Sequence, residues 1–320
     1  MVSVPVTLLS ALVVTVALPL LVPLALAVDA VRALAGNRRL VTVRMVAFGW
    51  TYLAVEVWAL ISLAVAWFTA GVGRRRRERL LWSSFRLQER WARILLWSFR
   101  RIFTVGLEVE GSDSIPPGPI VVMMRHASIA DTLLPNALVT TPHGIRLRYI
   151  LKKELLVDPA LDIAGNRLEN VFVDRAGDTS AEVERIRALG QDLGERDGML
   201  IYPEGTRFTP AKQARAIESL ERRTSPLAEA ARSLRHVLPP RMGGPLTLLD
   251  LGTDVVIAAH VGLDGFAEVK DIWNGRIIGG TLRVRFWRVP ASDIPPDRPG
   301  RVAWLLDQWA QVDGWIHEHV

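Results

Sequence analysis

The chain has 320 residues, enough for one large domain or two ordinary ones. It contains no cysteine, which excludes disulfides, thiolate zinc sites and cysteine nucleophiles. Half of its residues are hydrophobic and its formal charge is +6, a balance that points to an anionic partner: nucleic acid, anionic lipid or a phosphorylated substrate.

The apolar excess sits at the N-terminus. Residues Val4 to Val28 carry no charge, and the run is long enough to cross a bilayer as a helix. Pro5, Pro19 and Pro23 interrupt it, which membrane helices tolerate better than soluble ones. No basic residue precedes Arg32, so the run is not read as a signal peptide. A second apolar stretch, Met45 to Val72, is broken only by Glu56 and carries Trp50, Tyr52, Trp58 and Trp67 as candidates for interfacial belts. The expectation is a membrane hairpin over residues 1–73. Arg32, Arg38, Arg39 and Arg44 lie between its arms, and Arg74 to Arg77, Arg79, Arg86, Arg90 and Arg93 follow it. The larger basic cluster belongs on the cytoplasmic side of a cell membrane. Two crossing helices and a hairpin dipping into one leaflet are rival arrangements, and both leave the remainder in the cytosol. Arginine far outnumbers the four lysines, a bias that points to a GC-rich bacterial genome and hence a bacterial inner membrane.

Residues 74–103 read as a basic amphipathic helix at the membrane interface. Trp82, Phe85, Ala92, Leu96, Phe99 and Phe103 recur at three-to-four spacing, with arginines over most of the other face. From residue 104 to 320 short apolar runs alternate with helical patterns, as in an α/β domain with a mixed sheet flanked by helices. Strands are expected at Val105–Val109, Ile120–Met124, Leu147–Leu151, Val171–Asp174, Met199–Tyr202, Val255–Val261 and Thr281–Trp287. Helices are expected from Ser128–Asp131 to just before Pro142, over Ala181–Arg196, over most of Pro210–Leu234, and over Val302–Ile316.

Three polar clusters each follow an apolar strand: Arg125-His126 with Asp131, Asp174-Arg175, and Glu204-Gly205-Thr206-Arg207. Strand ends on one edge of an α/β sheet are where such folds place ligands. A histidine with a carboxylate five residues on can remove a proton from a hydroxyl, provided His126 precedes the first helical turn. Arginine offers phosphate a planar fork of donors, and Gly205 lets the backbone take a positive φ or approach a ligand closely. His143, His236, His260, His317 and His319 are read as having no role in the chemistry. No third ligand accompanies His317-Glu318-His319, so no metal site is expected. The basic stretch Arg207 to Arg241 lacks interleaved aromatics, which argues against nucleic acid.

His126-x4-Asp131, Val171-Phe-Val-Asp-Arg175 and Tyr202-Pro-Glu-Gly-Thr-Arg207 together resemble the first three signature blocks of the glycerophospholipid acyltransferase superfamily. The central members of that superfamily are 1-acylglycerol-3-phosphate acyltransferases. The likeness spans Leu107 to Gly262, and the run Glu204 to Thr209 with Val237 to Arg241 looks more like the longer eukaryotic-type branch. The resemblance implies that His126 is the general base and Asp131 its orienting partner, acting on the free hydroxyl of a lysophospholipid such as lysophosphatidate. The acyl chain would come from acyl-CoA or acyl-carrier protein, with no cofactor and no covalent acyl-enzyme. Arg175, Arg207 and, more weakly, Lys153 are the residues expected to take the substrate phosphate, with Glu204, Gly205 and Thr206 completing the binding turn. Rival readings are another acceptor (glycerol 3-phosphate, a different lysophospholipid or a glycolipid), a non-catalytic lipid-binding protein of the same fold, and a metal-dependent hydrolase. Arg125 stands where the family commonly has asparagine, and is read as touching either substrate or headgroups. Tyr202 stands for a frequent phenylalanine. The fourth, proline-bearing block has two competing matches, Leu238 to Arg241 and Val256 to His260.

Overall fold

A computed structural model describes residues 3–173, 180–264, 266 and 269–320. The chain forms two compact units. The first comprises Met1–Gly106, Leu151–Phe172 and Val269–Gly280, and the second comprises Leu107–Ile150, Val173–Glu268 and Thr281–Val320.

Three long helices dominate the first unit: α1 (Ser3–Leu34), α2 (Val41–Thr69) and α3 (Arg75–Phe103). The two apolar runs thus form α1 and α2, each long and apolar enough to cross a membrane. They pack as an antiparallel hairpin: Trp50 donates to Thr15 Oγ1 at 3.1 Å, while Asp29 accepts from the amides of Thr42 and Val43 at 2.9 Å each. Those two bonds satisfy orphan N–H groups at the start of α2. Helix α3 returns along α2, again antiparallel. Phe48 early in α2 meets Phe99 and Phe103 late in α3, Glu56 accepts from Trp91 Nε1 at 2.7 Å midway, and Trp67 lies under Arg76 at the far end. α3 buries Leu87, Ala92, Leu95, Leu96, Phe99 and Phe103, and turns Arg86, Arg90, Arg93 and Arg101 outward. In α1, by contrast, Leu9, Leu12, Val16 and Leu20 are each more than 60% exposed. An apolar face of that extent is suited to lipid rather than water.

Seven strands form one mixed sheet: β1 (Gly106–Glu110), β2 (Ile120–Met124), β3 (Arg146–Lys152), β4 (Val171–Val173), β5 (Asp197–Ile201), β6 (Asp254–Val261) and β7 (Thr281–Val289), in the order β1-β7-β6-β2-β5-β3-β4. β2 runs parallel to both β5 and β6, with Val122 opposite Leu200 on one side and Val256 on the other. β7 closes antiparallel on β6. Being central, β2 is buried on both faces, and every residue of Ile-Val-Val-Met-Met is accordingly apolar. One face carries Val121, Met123, Met199, Val255 and Ile257 against Trp309, Val312 and Ile316 of the C-terminal helix Arg298–His319. Asp297 caps that helix by accepting from Gly300 N at 2.8 Å.

The seven expected strands all form, within one or two residues of the expected limits. The helices differ more. The segment after His126 is helical from Ala130 to His143, opening as a 3₁₀ turn Ala130–Leu133 and widening to a π-helical turn Asn136–Thr140 before a last turn Thr141–His143. Pro135, at the head of the π-helical turn, lacks the N–H that a regular α-helix would use. Pro142 is accommodated because it sits in the first turn of its own short helix. The helix expected over Ala181–Arg196 spans Ser180–Leu189 and stops at Gly190, whose backbone lies so close to Leu251 that a Cβ would meet its methyls at 2.7 Å and 2.8 Å. Pro210–Leu234 divides into Pro210–Arg222 and Ala228–Ser233, parted by Thr224 at φ +50° and by Pro226. Two helices were not anticipated, Pro159–Arg167 and Gly243–Leu249. The first carries a legible signal, Asp158 as N-cap accepting from Leu161 N at 2.9 Å, followed at once by proline.

Candidate active site

The site is built at the C-terminal ends of β2, β5 and β6. Where β2 ends, Arg125 N makes a last ladder bond to Ala258 O at 3.0 Å, and the chain then turns out of the sheet at His126. Asp131, in the following 3₁₀ turn, folds back under the loop. Its Oδ2 accepts from the amides of Ala127 at 2.7 Å and Ser128 at 2.8 Å, and its Oδ1 lies 3.0 Å from His126 Nδ1. His126 and Asp131 therefore meet because the histidine precedes the helical turn, as five-residue spacing requires. Burial alone would push the Asp131 carboxyl up, but His126, through charge and hydrogen bond, and His260 outweigh it and hold it below the ordinary carboxylate range. An ionised acceptor at Nδ1 keeps the ring proton there, so the basic lone pair of a neutral His126 is on Nε2. The Tyr202 ring tilts against the imidazole at 4.6 Å between centroids.

The turn after β5 is locked to the same loop. Glu204 is 2% exposed; its Oε1 accepts from His126 N at 2.8 Å and its Oε2 from Leu238 N at 2.9 Å. Its oxygens thus serve backbone amides, and its closest role is to hold the peptide that carries His126. Burial pushes the Glu204 carboxyl up to about 8, against the lowering effect of those amides. Gly205 adopts φ +66°, and a Cβ there would meet Arg241 Nε at 2.7 Å. Only glycine takes this conformation readily. Lys212 Nζ reaches back to Thr206 Oγ1 at 3.1 Å and Arg207 O at 3.0 Å, while Phe208 N donates to His126 O at 2.8 Å. His126, Asp131, Glu204, Gly205, Thr206 and Arg207 are therefore brought together. Lys153 opens the short helix Lys153–Val157 of the first unit. Arg175 lies outside the described residues.

Arg125 does not face substrate or headgroups. It is fully buried, donating from Nη1 to His260 O at 2.6 Å and from Nη2 to His236 O at 2.8 Å, and pairing with Asp264. A guanidinium with no exposure needs this many partners to offset its lost hydration. His260, Asp264, Lys212 and Arg241 contact the site's framework and were given no part in it from sequence, His260 and Arg241 appearing only as ends of the competing fourth-block matches. All four are distant in sequence from His126. Among the described residues, no group of three or more histidine, aspartate or glutamate side chains is placed to hold a metal ion.

Residues 106–243 match the family model described as Acyltransferase, a stretch holding both His126-x4-Asp131 and the turn through Arg207. This match supports placing residues 106–243 in the glycerophospholipid acyltransferase superfamily. Among curated proteins it is 29% identical over 120 residues to 1-acyl-sn-glycerol-3-phosphate acyltransferase of Pseudomonas aeruginosa, covering 38% of this chain and 45% of that protein. To 1-acyl-sn-glycerol-3-phosphate acyltransferase gamma of Homo sapiens it is 30% identical over 173 residues, covering 52% and 44%. The chain thus spans less than half the length of these relatives. The crystal structure of the 1-acyl-sn-glycerophosphate (LPA) acyltransferase PlsC from Thermotoga maritima shares its fold, with a TM-score of 0.50 at 19% identity over 84% of this chain and 96% of that one.

Proposed function

We propose that the chain is a membrane-bound lysophospholipid O-acyltransferase, with the second unit catalytic and the first unit seated in the membrane. One observation carries the reading: an imidazole at the end of a central strand, its Nδ1 held by a buried carboxylate at 3.0 Å and its Nε2 left as the base. His126 Nε2 takes the proton of the acceptor hydroxyl as the oxygen attacks the thioester carbonyl of acyl-CoA or acyl-carrier protein. The C–O bond forms, the C–S bond breaks, and the imidazolium returns its proton to the thiolate. Asp131 keeps the ring oriented and stabilises its charged form. Arg175 and Arg207, the arginines of the second and third sequence motifs, are suited by their chemistry to the phosphate of lysophosphatidate, which the reaction converts to phosphatidate. The similarity to 1-acyl-sn-glycerol-3-phosphate acyltransferases supports this acceptor. Incubating the purified full chain in vesicles with mixed lysolipids and acyl-CoAs, followed by mass spectrometry of the products, tests it. Phosphatidate is the expected product, and His126→Ala should abolish it without loss of folding or of vesicle binding. Product formation by that variant would remove His126 as the base.

The antiparallel sheaf also favours one arrangement of the hairpin. α2 packs along its whole length on α3, whose outward arginines bar it from the hydrocarbon core, so α2 lies at the membrane face with α3 beside it. We place α1 and α2 in the cytoplasmic leaflet of a bacterial inner membrane rather than across it. Because the chain lacks cysteine, Ala35→Cys at the exposed turn is a clean probe. A membrane-impermeant maleimide should label it from the cytoplasmic side only; labelling from the outer side would mean that the helices cross.

A further inference from the structure

His260 stands on β6, fully buried, in what reads from sequence as a plain apolar strand. β2 and β6 are in parallel register with Met124 opposite Ala258, and two residues further on that register sets His260 level with His126. Its Nε2 lies 3.1 Å from Arg125 O and 3.5 Å from Asp131 Oδ2. Both neighbours are acceptors without a proton to give, so Nε2 carries the proton and Nδ1 the lone pair. That Nδ1 is buried without a hydrogen-bond partner. A residue present only to fill space would bring no such unsatisfied nitrogen into the core.

We propose that His260 is a positioning residue for acyl transfer, a second imidazole on the Asp131 carboxylate that sets the base through its orienting partner. The inference rests on reading His126 as that base. Three donors converge on the Oδ2 side of Asp131: the amides of Ala127 and Ser128, and His260 Nε2. Together they fix the carboxylate, whose Oδ1 at 3.0 Å and Oδ2 at 3.2 Å both face His126 Nδ1. The same Nε2–H holds the carbonyl of Arg125, the peptide immediately ahead of His126, at the point where the chain leaves the sheet. Arg125 returns the contact by donating from its guanidinium to His260 O. Losing the imidazole would loosen the base on both sides, and a displacement of about 1 Å can cost on the order of 10²-fold in rate.

The test compares His260→Phe, which fills the space without the donor, with His260→Gln, whose side-chain amide can place a donor near the position of Nε2. The full chain is assayed in vesicles with lysophosphatidate and acyl-CoA. For His260→Phe the expected result is a kcat lower by about 10- to 100-fold with both KM values within about two-fold of wild type. His260→Gln should recover most of the rate. Wild-type kcat in His260→Phe, or equal loss in both variants, would overturn the proposal. Nitrogen-15 NMR of histidine-labelled wild type gives an answer independent of activity and of how the variants fold: His260 should show the neutral Nε2–H pattern, and a protonated Nδ1 would overturn the arrangement. A wild type inactive toward every lysolipid would sink the acyltransferase reading, while the NMR pattern would still decide the hydrogen bonding of His260.

Discussion

Replacing Glu204 by glutamine swaps an oxygen for an NH₂ group at a position where both oxygens accept from backbone amides, those of His126 and Leu238. One amide keeps its acceptor. The other faces a donor and is left buried without a partner, a loss of roughly 1–3 kcal/mol. A pH dependence comes with it. Burial raises the Glu204 carboxyl from 4.5 to about 8, so the folded state holds a proton that the unfolded state has already released. Its contribution is fully present below the unfolded value, declines as pH rises through that interval and is lost above about 8, a change on the order of a few kcal/mol. Glutamine does not titrate. Thermal melts of wild type and Glu204→Gln, recorded from pH 5 to pH 8.5 in one detergent, should show the largest stability gap at the acid end and a gap that closes as pH rises. A gap that widens with pH would mean that Glu204 is held as a carboxylate, and a gap that does not change would mean that its environment does not perturb it. Either would refute the assignment of burial as the dominant influence. Because His126 N is one of the two amides, kcat should fall as well, most where the melt shows the larger gap.

Asp131→Asn should retain the two amide contacts through its oxygen but turn a donor toward His126 Nδ1, moving the ring proton to Nε2 and removing the base. A kcat lower by about 10²- to 10⁴-fold, with vesicle binding unchanged, is the expected result of the acyl-transfer assay. Gly205→Ala should cost about 1–2 kcal/mol for the left-handed backbone alone. It should also push Arg241 aside from a Cβ contact of 2.7 Å, so a lower melting temperature accompanied by a raised KM for the acceptor is expected.

The parts of this chain that were legible in advance are those whose signals are local. The hairpin shows itself in two long apolar runs, the first uncharged and the second broken only by Glu56, and β2 shows itself as five successive apolar residues because both of its faces are covered. The amphipathic stripe of α3 follows directly from three-to-four spacing. Helix limits were less legible wherever a tertiary neighbour decided them. Gly190, just past the end of its helix, has no room for a side chain because of Leu251, some sixty positions away. The first unit also draws in Leu151–Phe172 and Val269–Gly280, joined to the N-terminal helices by contacts such as Tyr52 with Asp158 and Arg39 with Gly275 O. Nothing in the composition of either stretch announces such a partner.

The same division runs through the site. His126 and Asp131 are five residues apart, so the loop that joins them can be read as a unit, and the Glu204 to Arg207 turn is likewise continuous. What holds these pieces together comes from strand order. With β2 between β5 and β6, the turn after β5 brings Glu204 to the amide of His126 from one side, and the end of β6 brings His260 to Arg125 and Asp131 from the other. Those contacts cross 78 and 135 residues. Parallel neighbours must be joined by long crossovers, so adjacency in such a sheet is hidden from any local pattern. This is why Glu204, expected in the substrate-binding turn, has both oxygens on backbone amides, and why Arg125, expected at substrate or headgroups, is buried. Charge and spacing locate the reacting pair, whereas the functional meaning of each supporting side chain depends on which strands lie beside it.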